Sequence, residues 1–388
     1  MSLIASWGWG KGIDGREAGR LAAQQALSRL GTTRAALCLV FVSQEFDMGP
    51  VISGLCGVLG NVPLWGISTS HPFTPAGEQT RSVVIGLLAG NDITAEVSFW
   101  PGFAQNSSET ARQLLQALSA DPAGINGLML AADGINGDIS KVCAALTGFS
   151  AVVAGSLASG DVFQGKTYQI AGSQFGSGGL AAAALKGPLS LGMGIGHGWG
   201  DVGVHFEISK ARDIWVKELG GMPAAEAYSR TFGYPARDWA FPPLKELVRL
   251  YPLGIELAPG SSELIIRSPL QVEVDGSLRM NIPVAERQVA RLLVGDRSSC
   301  VEAAKQATRS ALNALGGAKP VLALALADQA WQYIFQSEPA RLITTIKAET
   351  GDIPLIGGYT LGQVFRQEAQ GIVRAYNQNL LVVVFGES

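Results

Sequence analysis

Apolar residues along this chain fall into short unbroken runs, and an amphipathic stretch of helical length stands before the first run of each passage. Residues 16–30 place Ala18, Leu21, Ala22 and Ala26 at the spacing of one helix face. After a Gly-Thr-Thr turn comes ALCLVFV, residues 36–42, the pattern of a strand buried on both faces. A second helical stretch starts at Asp47, VPLWGISTS follows at 62–70, and RSVVIGLLAG closes the passage from Arg81. The order then returns. ETARQLLQALSA (109–120) leads to GLMLAA (127–132), a helical stretch from Asp138, SAVVAGSLASG (150–160) and a closing GSGGLAAAAL from Gly176. A more distant third passage has a long helix at 298–315, PVLALAL at 320–326, a helical connection at 339–350, IPLIGGYTLG at 353–362 and NLLVVVFGE from Asn379.

Strand, helix and strand joined by short turns predict a parallel crossover in each passage, with the closing strand antiparallel. The fold class expected is α/β, built of repeated strand–helix–strand units that form mixed β-sheets covered by helices. Between the second and third repeats, residues 188–294 alternate polar and apolar positions and carry an Asp-Gly hairpin signal at Asp275 and Gly276. That stretch is predicted to be strand-rich, broken by a short helix at 223–231 whose proline stands at the permitted first position. The expected division is an N-terminal domain of residues 1–218, holding repeats at about 16–90 and 108–186, and a C-terminal domain of residues 219–388.

Composition alters the picture in one respect. Hydrophobic residues make up 47% of the 388 and charged ones only 16%, which raises the question of a membrane. The longest charge-free stretch, residues 48–77, is interrupted by Pro50, Gly54, Gly57, Gly60, Pro63 and Gly66, so it cannot supply the roughly 18 apolar residues a span needs. The N-terminus lacks the basic-then-apolar order of a secretory signal. Cys38, Cys56, Cys143 and Cys300 stand alone, without metal or redox spacing, which suits a reducing cytoplasm. A net charge of −3 without a basic stripe predicts no nucleic-acid partner and no membrane partner.

Several segments together resemble the FIST family of α/β sensory modules. The N-terminal FIST region resembles residues 36–216, through the VPLWGIST turn and the closing RSVVIGLL strand. The C-terminal region resembles residues 222–365, through GGMPAAEAYSRTFG, the YPLG at Tyr251, VDGSLRMNIPV at Val274 and IPLIGGYTLGQVF. The resemblance implies a protein that binds small molecules, amino acids or their derivatives among them, and that passes a signal to a separate partner. One branch of the family is associated with haem-based sensing of nitric oxide. This chain departs from the pattern twice. LALADQAWQYIF stands where many relatives carry Cys-x-Gly-Arg, and Gln363 stands where a glutamate is common.

The candidate ligand contacts are the turns that end the buried strands, where α/β folds open a crevice. These are Gly66, Ser68 and Thr69 in the first repeat, Gly155 and Ser156 in the second, and Gly358, Tyr359, Thr360 and Gln363 in the third. The same residues also suit a turn that merely caps the next element. Gly198, Gly200 and Gly203 match G-x-G-x-x-G, but a strand pattern follows where a dinucleotide site needs a helix. Asp133 and Asp328 end central strands and read best as caps of the helices that follow. Trp7, Trp9, Trp65 and Trp199 could line an apolar pocket or fill cores. No cofactor is expected; the alternative is haem ligated by His197, one of only three histidines. A protein-interaction scaffold, and an enzyme whose site joins Asp133 with His197 or Arg81, stay open beside the sensor. So does a homo-oligomer.

Overall fold

In a computed structural model, described for residues 3–162, 164–258, 260–261, 263–368 and 371–387, one order of elements occurs three times along the chain. The first unit runs strand Ile4–Lys11, helix Gly15–Leu30, strand Ala35–Ser43, helix Met48–Leu59, strand Leu64–Thr69 and closing strand Ser82–Ala89. The second runs Thr94–Trp100, helix Ser107–Ala120, Ile125–Asp133, helix Ile139–Ala145, Val152–Ala158 and Leu180–Lys186. The third opens with Leu189–Gly196 and resumes at helix Arg297–Asn313. It continues through Lys319–Asp328, helices Ala330–Ile334 and Arg341–Thr350, and strands Leu355–Arg366 and Leu380–Glu387. In each unit the central strand lies parallel to the one after it and antiparallel to the closing strand, which also pairs with the opening strand. The sheets are mixed and helix-covered, as the run-and-turn pattern predicts.

Two opening strands are written with glycine at alternate positions, IASWGWGK and LSLGMGIG; the first escapes the sequence pattern, while the second falls in the stretch predicted to be strand-rich. A Cβ on Gly8 or Gly10 would stand 2.2 Å from Ala22 O or 2.0 Å from Ala18 O. On Gly192 or Gly194 it would stand 2.1 Å from Ala311 O or 2.0 Å from Ala307 O. Glycine on the strand faces alanine at every fourth position on the helix, so the helix backbone lies directly on the strand. The buried face of the first helix is therefore Ala18, Ala22, Ala23 and Ala26, while Leu21, expected on that face, is exposed.

Each unit also lends a strand to a neighbour. The second unit's hairpin Gln169–Ala171 and Gln174–Gly176 adds antiparallel to Leu64–Thr69 of the first. The first unit's Pro72–Thr74 adds to Leu355–Arg366 of the third, and the far half of that strand pairs with Val152–Ala158 of the second. The exchange closes a cycle. Inside it lies one apolar cluster fed by all three units, with Leu39, Phe41 and Trp65, Met129 and Ala154, and Leu324, Ile356 and Phe385. Three further clusters sit between the sheets and the outer helices.

The strand-rich segment is an insertion between the opening strand and first helix of the third unit. It begins beyond Gly196, later than the sequence pattern suggested, because Leu189–Gly196 pairs along its whole length with Leu380–Glu387. The insertion has its own antiparallel sheet and apolar cluster, with Tyr228, Trp239 and Leu253 at its centre. The Asp275-Gly276 turn joins Pro269–Val272 to Leu278–Met280, with Gly276 at φ 81°. The insertion returns to its starting point, where Asp296 N–H donates to Gly198 O at 3.2 Å. Strands from both sides of residue 218 share the eleven-stranded sheet. Among the described residues no helix is long and apolar enough to cross a membrane.

Candidate functional site

The strand register sets equivalent positions in the three units. Ser43 lies beside Thr69, Asp133 beside Ala158 and Asp328 beside Thr360 at the ends of the parallel pairs. Three residues earlier in each second strand stands a glycine: Gly66, Gly155 and Gly357. A Cβ there would come 2.1 Å from Val40 O, 2.8 Å from Leu130 O and 1.9 Å from Ala325 O respectively. These glycines lie inside the sheet, where the neighbouring strand's carbonyl leaves no room for a side chain. The third unit's equivalent is Gly357; Gly358 instead faces the Thr69 side chain, whose Oγ1 a Cβ would meet at 2.7 Å.

The hydroxyls that end these strands converge from all three units and bond chiefly to one another's backbone. Ser68 Oγ donates to Ser159 O at 2.6 Å and accepts from Tyr168 N–H at 2.8 Å. Thr69 Oγ1 and Ser159 Oγ both donate to Tyr359 O, each at 2.8 Å. Thr360 Oγ1 donates to Ala327 O at 3.2 Å and accepts from Gln363 Nε2 at 2.9 Å. Ser156 stands opposite Gln363 on the neighbouring strand, and Ser156 Oγ and Gln363 Oε1 have no partner among the described residues. Tyr359 is buried edge-on against Phe73, with ring centroids 4.7 Å apart. Burial first, and the nearby Glu78 carboxylate second, push its phenol well above the ordinary tyrosine range. The structure thus brings the predicted turn residues together as a knot that ties the units. All of them are buried.

The polar residue ending each central strand has a related task. Ser43 Oγ accepts from Ser82 N–H at 3.0 Å, Asp133 Oδ2 from Gly178 N–H at 2.8 Å, and Asp328 Oδ2 from Gln378 N–H at 2.9 Å. Each holds the backbone that enters its unit's closing strand. Asp133 Oδ1 also accepts from Ile135 and Asn136 N–H, both at 2.8 Å, so it organises a turn; Asp138 caps the following helix. Asp328 Oδ1 accepts from Ala330 N–H at 3.0 Å at the start of its short helix. Among the described residues Asp133 bonds Ile135, Asn136, Ser177 and Gly178, and not His197 or Arg81.

One or more residues beyond these strand ends, the chain lines a cleft of about 270 Å³. Gln44 comes from the first unit, Gly160, Asp161 and Val162 from the second, and Gln329 and Tyr333 from the third. The insertion closes it with Lys245, Glu246 and Arg249 on the short turns Leu244–Leu247 and Val248–Leu250, and with Leu270 and Gln271. The knot lies behind this cleft and is joined to it where Gln329 N–H donates to Thr360 O at 2.7 Å. None of the nine turn residues predicted from sequence is in the cleft wall.

Arg249 is the least exposed charged residue of that wall, at 4%. Its Nη1 donates to Gln329 Oε1 at 2.9 Å, its Nη2 lies 3.9 Å from Asp328 Oδ1, and its Nε–H has no partner among the described residues. Asp328 is fully buried, and loss of hydration raises its carboxyl above the usual range, with the Arg249 charge and two backbone N–H groups acting against that rise. Two cations, Lys245 and Arg249, face two carboxylates, Asp161 and Glu246, so the lining is close to electrically balanced. The signal for this wall was weak in the sequence: Gln44 and Gln329 each directly follow a buried run, but Arg249 stands 80 residues from Gln329.

The remaining candidates are scattered. His197 is exposed beyond the third opening strand, and its Nδ1 accepts from Trp199 N–H at 3.3 Å. Among the described residues no three His, Cys, Asp or Glu side chains are placed to share a metal ion. Gly200 and Gly203 lie on strand Trp199–Arg212, with no helix after them. Trp65 is in the central core and Trp199 packs at 6.0 Å on Trp331. Trp7 lies under the Arg29 guanidinium at 4.1 Å, so the tryptophans line no common pocket.

Comparison with known proteins gives a family and, separately, distant folds. No curated protein matches the chain. Solved structures that it matches include a chorismatase, 8% identical over 100% of this chain and 99% of that one, with a TM-score of 0.37. A cyanuric acid hydrolase from A. caulinodans is 11% identical over 48% of this chain and 71% of that one, with a TM-score of 0.27. Both likenesses are too weak to carry a function. Family matches are another matter: the FIST N domain covers residues 36–222 and the FIST C domain residues 224–366. The chain belongs to the FIST family of sensory modules.

Proposed function

We propose that this protein is a sensory module that binds a small molecule, an amino acid or a derivative of one, in the cleft where the three strand-end systems meet the insertion. One observation carries the reading. The cleft is walled by residues from every unit and from the insertion, so a ligand there touches each part of the molecule at once. A volume of about 270 Å³ lies just under the usual range of drug-sized pockets, which suits a metabolite of amino-acid size. Amide groups of Gln44, Gln271 and Gln329, the Tyr333 hydroxyl and two charges of each sign match a zwitterion with a short side chain.

In this reading the turn residues Gly66, Ser68, Thr69, Gly155, Ser156, Gly358, Tyr359, Thr360 and Gln363 support the floor of the site. The signal then passes to a separate partner through a shift of the insertion, which holds Arg249, Leu270 and Gln271. The three units are read as repeats of one ancestral strand–helix design. The four free cysteines, three of them buried, support a cytoplasmic location. The test is thermal-shift and calorimetric titration of the purified protein with the twenty amino acids and their common derivatives. A specific hit should be lost in Gln329→Trp, which fills the cleft; a hit that survives that substitution places the ligand elsewhere.

A further inference from the structure

The strongest feature left unexplained is an arginine buried without enough partners. Guanidinium groups are rarely taken out of water unless their donors are matched, because an unmatched charged donor forfeits its hydration. Arg249 is 4% exposed, lines the cleft and leaves Nε–H without a partner among the described residues. Its Nη1 is engaged by a neutral amide, Gln329, and the Asp328 carboxylate stands 3.9 Å from Nη2, beyond hydrogen-bond distance. The two Asp328 oxygens are already occupied by the backbone N–H groups of Ala330 and Gln378. The backbone that carries the arginine is tied to the third unit, because Gln378 Nε2 donates to the Arg249 carbonyl at 2.7 Å and to Ser268 Oγ at 2.7 Å.

From this arrangement we infer that Arg249 is the anchor for a carboxylate group of the ligand, received on the Nε edge of the guanidinium. The inference rests on the cleft being a binding site and adds which chemical group the site selects. A carboxylate offers two oxygens at the spacing of neighbouring guanidinium N–H groups, so it completes the unmatched edge in a paired contact that a neutral amide or an amine cannot make. The charge of the wall sets the ligand's valence. Asp161 and Glu246 face the same space, so a dianion such as inorganic phosphate meets repulsion there, while a carboxylate that brings its own ammonium group, or a monoanion, does not. Arg249 is on the insertion and Gln329 on the third unit. The anchored carboxylate therefore bridges the two parts at the point where they already share a hydrogen bond.

The test needs no variant for its first arm. The wild-type protein is titrated calorimetrically with the twenty amino acids and with two- to six-carbon mono- and dicarboxylates, each paired with its carboxamide, and with inorganic phosphate. The expected result is that an acid binds and its carboxamide binds roughly 30-fold or more weakly, the loss typical when one partner of a buried charged pair is removed. In a second arm, Arg249→Met and Arg249→Lys, checked for folding by circular dichroism, should both lose the acid. Lysine keeps the charge but not the paired edge. Acid and carboxamide binding alike, phosphate binding more tightly than every carboxylate, or acid binding unchanged in a folded Arg249→Met protein would each overturn the anchor while leaving the cleft a binding site. Absence of binding by every probe would overturn both. Should the variants not fold, the acid–amide comparison decides alone.

Discussion

At the scale of single residues, the glycines illustrate how one letter can serve opposite ends. Gly357 has φ 151° and no space for a Cβ, which would stand 1.9 Å from Ala325 O; Gly66 meets Val40 O at 2.1 Å. Neither neighbour is a side-chain tip that could turn aside. Gly357→Ala and Gly66→Ala should each cost about 3 kcal/mol or more, read as a fall in the urea midpoint. Gly57, exposed on helix Met48–Leu59, has nothing within 4 Å of its Cβ position, and alanine there should stabilise by about 0.5–1 kcal/mol. Equal effects at the three positions would contradict the sheet-contact account. Sequence alone made Gly66 and Gly155 visible as marks of a shared design. It could not separate a glycine in a turn from one inside a strand three residues earlier, because that depends on the neighbouring strand's carbonyl. The serine and threonine hydroxyls were equally visible, but the groups they bond come from other units, 89 to 290 residues away.

At the scale of elements, buried strands were legible where they were written in Val, Leu and Ala, while the opening strand Ile4–Lys11, whose contact with a helix requires glycine, was hidden. IASWGWGK shows no strand pattern of its own until the alanines of helix Gly15–Leu30 are set against it, whereas LSLGMGIG already reads as a strand and packs in the same way on helix Arg297–Asn313. That helix is held at its start by Asp296, whose carboxylate accepts from the Ser299 N–H at 3.1 Å and from the Ser298 hydroxyl. The Ser298 and Ser299 bonds lower the Asp296 pKa from 3.8 to about 2. A lowered carboxyl pKa means the folded state prefers the ionised form, so the contribution is complete above about pH 4 and fades as the pH falls towards 2. Asp296→Ala should lose about 1 kcal/mol at pH 7 by urea denaturation, the usual worth of a helix N-cap, and much less at pH 2.5. Asn, which keeps the acceptor oxygen, should recover most of the loss at pH 7. A pH-independent deficit in the alanine variant would mean that the side chain acts through packing.

At the scale of the whole molecule, the cycle of lent strands and the shared central cluster make the three units one cooperative body, while the chain enters and leaves the insertion at a single doorway. Its first and last residues meet where Asp296 N–H bonds Gly198 O at 3.2 Å. Its largest apolar cluster is its own. In the first unit only residues 12–14 separate opening strand from first helix, and in the second only residues 101–106, so the third needs no more than such a loop. Replacing residues 199–295 with a short glycine–serine loop should therefore give a soluble protein that retains its helix signal and melts in one transition. It should be less stable, because Gln378, Asn377 and Asp328 lose Arg249, Ser268 and Asn281 as neighbours, and Leu270 and Ile282 no longer cover the second unit. It should also bind no ligand, since the cleft loses the wall that carries Arg249. Cutting instead at the family boundary, to express residues 224–388 alone, removes Leu189–Gly196 from the edge of Leu380–Glu387 and Val152–Ala158 from Leu355–Arg366. That fragment should aggregate or stay unfolded by circular dichroism. The opposite pair of results, a folded 224–388 fragment and an unfolded excision variant, would show that the insertion is the nucleus of an independent C-terminal domain. The third unit would then owe its shape to the insertion, and the cycle of strands would be a consequence of folding and not its frame.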